Sequence, residues 1–145
     1  MKSQVCVDAS LALKWLIPSQ QDSLAESLLE DWDRAGVELI GPPIFDAEVT
    51  SVIRLNVYTG KLLPQQGESA YQYFRALNVK IISPAILSLI AWELAKKHNR
   101  PRTYDMQYLA LAELLDCELW TADKRLMNCL REENKRVHCL GEKMA

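Results

Sequence analysis

Four acids stand where a carboxylate is expensive. Asp8 follows the apolar run "QVCV" (4–7) and Asp123 follows "ELWT" (118–121). Glu48 lies in a row with Ile44 and Val52, beside the stripe of Phe45, Val49 and Ile53. Asp105 is near the start of "TYDMQYLALAELL", with Leu109 and Ala112 four and seven residues on. Each acid alone has an ordinary reading: Asp8 and Asp123 as helix N-caps, Asp105 as a complement to a helix dipole, Glu48 as a long side chain bent to solvent. Taken together they need four separate excuses for one sign of charge. If they cluster, two carboxylates ~4 Å apart repel by about 4 kcal/mol at an effective dielectric near 20, so protonation or a divalent cation must relieve them. Oxygen donors in an open site suit Mg²⁺ or Mn²⁺, which can activate water and screen carboxylates from a phosphodiester.

The elements that must position these acids alternate along the chain. β-rich runs fall at "QVCV", "VELI" (37–40), "VKII" (79–82), "ELWT" and "RVHCL" (136–140). Helical spacing fills the gaps: "ASLALKWLI" before Pro18, then a helix capped by Asp22, carrying an apolar stripe of Leu24, Leu28 and Leu29 and stopped by Gly36. Pro42 and Pro43 open a third helix that Gly60 closes, and Pro64 and Pro84 open two more. "TYDMQYLALAELL" and "DKRLMNCLREEN" complete the set. Strands separated by helices of ten or more residues need crossover connections. The expected fold is therefore α/β, a three-layer α/β/α sandwich around a mostly parallel sheet, formed by one domain over residues 1–145. Ligands in such sheets bind beyond the carboxyl ends of the strands, where Asp8 and Asp123 fall.

Composition narrows the function. Of 145 residues 49% are hydrophobic, enough for a real core, and 17 Lys plus Arg against 19 Asp plus Glu leave a net charge of −2. A polyanion would have to be held locally. The start "MKSQVCVDAS" lacks the apolar stretch of a signal peptide and no run is long enough to span a membrane, so a cytoplasmic location is expected. Four scattered cysteines without a C-x-x-C pair suggest reduced thiols, and two histidines, His98 and His138, are too few for a histidine-rich metal site. No glycine-rich phosphate loop exists, and Trp15, Trp32, Trp92 and Trp120 sit at positions that suit packing.

With these residues in view, the chain resembles PIN-domain proteins of the VapC toxin type. The likeness rests on "VDAS" (7–10), "PPIFDAEVTSVIR" (42–54), "TYDMQYLALAELL" (103–115) and "TADKRL" (121–126), four blocks in the family's order that together cover about the whole chain. Carried over residue by residue, the family's acidic quartet falls on Asp8, Glu48, Asp105 and Asp123, and its small hydroxyl positions on Ser10 and Thr121. The resemblance implies a Mg²⁺- or Mn²⁺-dependent endoribonuclease, usually a homodimer, often neutralised by a small antitoxin protein. Two features depart from the pattern: Met106 follows the third acid where many relatives have a small residue, and the loop "NRPRTY" before it is unusually basic. Both bear on substrate preference more than on the ligand set.

RNA would be held by local positive charge. "KKHNRPR" (96–102) precedes Asp105, while Lys124 and Arg125 follow Asp123, so Arg100, Arg102, Lys124 and Arg125 are the expected phosphate contacts, with Lys14 and Arg54 weaker candidates. The competing reading is a regulatory module that binds metal or RNA on the same fold without turnover. An aspartyl-nucleophile phosphatase is disfavoured, since Ser10 stands where a second aspartate is expected.

Overall fold

The structure, a computed structural model, describes residues 3–130 and 133–141. Five strands occur among them: β1 (Gln4–Val7), β2 (Glu38–Gly41), β3 (Lys80–Ile81), β4 (Glu118–Thr121) and β5 (Val137–Cys139). They form one sheet in the order β3-β2-β1-β4-β5, and all four pairings are parallel. The helices are α1 (Ala9–Leu16), α2 (Ser23–Ala35), α3 (Pro43–Tyr58), α4 (Pro64–Ala76), α5 (Leu87–Lys97), α6 (Tyr104–Leu114) and α7 (Lys124–Leu130). The expected three-layer arrangement around a parallel sheet is the one observed. Right-handed crossovers place α1–α4 on one face and α5–α7 on the other. In agreement, Cys6 of β1 turns its Sγ to the Tyr108 carbonyl of α6, while Trp120 of β4 meets Trp32 of α2 on the opposite face.

The strand order explains where the acids gather. From β1 the chain moves to β2 on one side, and from β4 to β5 on the other, so a crevice opens between β1 and β4 at their carboxyl ends. Helices that follow a strand begin at this rim; α6, which precedes β4 and runs back along it, begins there too. Asp8 caps α1, Asp105 lies in the first turn of α6, and Glu48 comes in the second turn of α3. A close approach sets the start of α3: a Cβ added at Gly41 would stand 3.1 Å from Phe45 Cγ, so the missing side chain lets that ring seat against the strand end. Phe45, Val49 and Ile53 are buried as their spacing predicts.

Several sequence expectations shift. The segment after Pro84 begins as a turn, with Leu87 N donating to Pro84 O, and α5 starts only at Leu87. Its core face is Leu87, Ala91, Leu94 and Ala95, which turns Trp92 outward, 58% exposed, against the expected packing role. Trp15, Trp32 and Trp120 do pack, edge to face, with Trp120 stacked on His138. Leu24 is exposed, leaving Leu28 and Leu29 as the part of the α2 stripe that reaches the core. The last expected helix extends over residues 131 and 132, which lie outside the described residues; Glu133 and Asn134 are not helical. Among the described residues no helix is long and apolar enough to cross a membrane.

Candidate active site

Asp8 is the centre of the crevice. Only 5% exposed, its carboxylate accepts from Ser10 Oγ (2.7 Å) and Leu11 N (3.0 Å) on Oδ1, and from Thr121 Oγ1 (2.5 Å) on Oδ2. The N-cap reading is therefore correct, but it explains only the bond to Leu11. A cap can sit in solvent; this one is buried and surrounded by neutral donors, with no cationic side chain bonded to it among the described residues. Burial pushes the Asp8 carboxyl up to about 6, against the pull of the Thr121, Ser10 and Leu11 hydrogen bonds, and the charge of Asp123 adds to the push. Three donors occupy three of about four acceptor positions, leaving capacity on Oδ2.

The two hydroxyls are fixed in turn. Ser10 Oγ accepts from Ala122 N at 3.0 Å and Thr121 Oγ1 from Asp123 N at 2.9 Å, so each has its oxygen held by backbone and its proton turned to Asp8. Ser10 and Thr121 stand 3.2 Å apart, bridging β1 and β4 across the crevice. Asp123 caps α7 through Oδ1, which accepts from Arg125 N and Leu126 N. As with Asp8, the ordinary cap and the candidate ligand are the same residue, because one oxygen suffices for capping.

Glu48 and Asp105 form the other half of the rim. Glu48 is half-buried, and burial raises its carboxyl pKa; a hydrogen bond from Tyr108 opposes that rise and the charge of Asp105 adds to it. Asp105 Oδ2 receives Arg100 Nη2 at 3.0 Å, an ion pair in which both side chains are partly exposed. Arg100, expected to contact phosphate, is thus engaged by a carboxylate of the site itself. Lys96 pairs with Glu93 and Lys97 with Glu133, so the basic run is largely neutralised within the chain. Among the described residues Arg102, Lys124 and Arg125 make no ion pair. Lys14 shares a helix row with Ser10, whereas Arg54, six residues beyond Glu48 and over the Tyr58 ring, lies about 9 Å further along α3.

The donor set is all oxygen and fits a hard divalent cation. Among the described residues no three acidic, thiol or imidazole side chains already enclose a cation position. Spacing did not reveal Tyr108, whose hydroxyl donates to Glu48 Oε1 at 2.5 Å. The available signal was its place three residues after Asp105, on nearly the same helix face.

This fold and rim define the class. The PIN domain family matches residues 5–129. "VapC ribonuclease Mb0985" of Mycobacterium bovis and "Ribonuclease VapC9" of Mycobacterium tuberculosis are each 34% identical over 122 residues, covering 84% of this chain and 87% of the relative. The chain belongs to the PIN-domain family, among its VapC ribonucleases. Solved structures share the fold at lower identity. The VapBC2 structure from Rickettsia felis, bound to a DNA fragment from their promoter, superposes with a TM-score of 0.69 at 14% identity, covering 94% of this chain and 98% of that one. A toxin–antitoxin complex from Klebsiella pneumoniae gives 0.68 at 16%, covering 96% and 99%.

Proposed function

We propose that the crevice between β1 and β4 is where this chain, an endoribonuclease of the VapC toxin family, hydrolyses RNA phosphodiesters with the help of Mg²⁺ or Mn²⁺. One observation carries the reading: Asp8, nearly excluded from water, is given three hydrogen bonds and, among the described residues, no counter-charge. A buried anion left in that state is a cost to folding that a cation from outside removes. Asp8, Glu48, Asp105 and Asp123 would hold the ion or ions, directly or through water. When bound, such an ion supplies positive charge beside the scissile phosphate and lowers the pKa of a coordinated water.

The chain's own residues do the rest. Ser10 and Thr121 hold the Asp8 carboxylate in one orientation, since both hydroxyl protons point at it. Arg102, Lys124 and Arg125 contact phosphates on either side of the rim, and Arg100 joins them only by leaving Asp105. Protein partners follow from kinship: a small antitoxin, supported by the toxin–antitoxin complexes among the fold's relatives, and a second copy of the chain.

The test is cleavage of a structured-RNA panel by protein freed of co-purifying partner, with Mg²⁺, Mn²⁺ or EDTA, beside Asp8→Asn. Metal-dependent cutting that the variant lacks is the expected result. A wild type that binds Mn²⁺ yet cuts nothing in the panel would favour the regulatory reading.

A further inference from the structure

The Tyr108 side chain is built as a core residue with one polar atom. It is 2% exposed, and its ring meets Phe45 of α3 edge-on at 6.5 Å between centroids; Phe45 in turn leans on Phe74 of α4. The Tyr108 carbonyl receives Cys6 Sγ from β1. Contacts from α3 to the ring and from β1 to the backbone carbonyl hold this residue, and a tyrosine has only two side-chain torsions, so holding the ring holds the oxygen. For packing alone a phenylalanine would serve. The hydroxyl makes one hydrogen bond among the described residues, to Glu48 Oε1, sixty positions away in sequence.

Glu48 needs such a partner. It is a long side chain with three torsions on a helix at the rim, free to swing toward solvent. The tyrosine hydroxyl donates to it from a ring packed edge-on against Phe45. With Oε1 so engaged, Oε2 is the oxygen left for other partners.

We propose that Tyr108 is a positioning residue of the nuclease site, its buried hydroxyl anchoring one oxygen of Glu48 so that the other is presented to a divalent cation. This inference rests on the site described under Proposed function. Its test is a cycle of Tyr108→Phe, Glu48→Gln and the double variant, measured by RNA cleavage (kcat and KM separately) and by Mn²⁺ affinity from paramagnetic resonance without RNA. Tyr108→Phe should lower kcat about 10- to 100-fold with little change in KM, and weaken Mn²⁺ binding, the range typical of lost outer-shell hydrogen bonds. In the Glu48→Gln background the same substitution should change either quantity less than about twofold, since the anchored group has already been altered.

Wild-type cleavage and Mn²⁺ affinity in Tyr108→Phe, with Glu48→Gln impaired, would overturn the inference and leave the site standing. A loss that adds in full to that of Glu48→Gln would also overturn it, by showing that the hydroxyl acts through packing. Full activity in Glu48→Gln would instead remove Glu48 from the site, and the inference with it.

Discussion

The strand β4 has carboxylates at both ends, and the chain treats them in opposite ways. At its amino end Asp116, with a side chain 93% exposed, meets Arg136 Nη2 at 3.3 Å, and Glu118 meets His138 Nε2 at 2.6 Å. At its carboxyl end, Asp8 is buried beside Thr121 among neutral donors, and Glu48 has only a phenol. Arg136 supplies counter-charge to Asp116, where water already makes a carboxylate cheap, while the described residues supply none to Asp8 and Glu48, where burial makes it costly. Arg100 on Asp105 is the exception, at the more open side of the rim. Selection for stability alone would produce the reverse distribution. On the proposed function, the contrast separates acids that decorate a surface from acids that would hold a ligand.

Substitutions at the two ends should therefore differ in size and in sign. The largest effect is expected from Asp8→Asn, which should reduce metal-dependent RNA cleavage below detection; wild-type turnover would break the comparison outright. The same variant should be more stable than wild type in EDTA near neutral pH. The sign follows from the raised pKa. An acid at about 6 when folded and 3.8 otherwise contributes its stability below about pH 3.8 and loses it as pH rises through 6. The shift corresponds to about 3 kcal/mol as an upper bound. Urea unfolding of both proteins should show the stability difference, variant minus wild type, growing between pH 4 and pH 7.5. A difference independent of pH would mean that Asp8 is not a strained carboxylate.

Next in size is Arg102→Ala, which should weaken RNA binding and flatten its dependence on salt by about one unit of log–log slope, with melting temperature unchanged. An unchanged slope in filter binding would move the phosphate contacts to Lys124 and Arg125 alone. Smallest is Asp116→Asn at the amino end, expected to alter stability by less than about 1 kcal/mol and cleavage not at all. A large loss there would erase the distinction between the two ends.

Much of this arrangement is legible in the sequence because it is local. Strand positions followed from short apolar runs, and the α2 boundaries from Asp22 and Gly36, which cap it as expected, the glycine at φ +71°. Asp8 and Asp123 could be placed because each directly trails a strand. What escaped was long-range or irregular. The Tyr108 to Glu48 bond spans 60 residues, and a tyrosine in an apolar row reads as core whether or not its hydroxyl has work to do. Arg100 and Asp105 are only five residues apart, but the irregular loop between them has no periodicity from which their contact could be read. Trp92 reads as packed because size alone cannot say which side of α5 meets the sheet.

The order of the strands also has a bearing on synthesis. β1 lies next to β4, and the bond from Thr121 to Asp8 closes over 113 residues, so the crevice has only one wall until the final fifth of the chain is made. At about 5–20 residues per second, Asp8 leaves the ribosome roughly 6–20 seconds before Thr121 and Asp123 do. By the end of that interval the nascent chain carries Asp8, Glu48 and Asp105 and still lacks Asp123. On the proposed site, a product truncated before β4 would lack Thr121 and Asp123 and would not cut RNA.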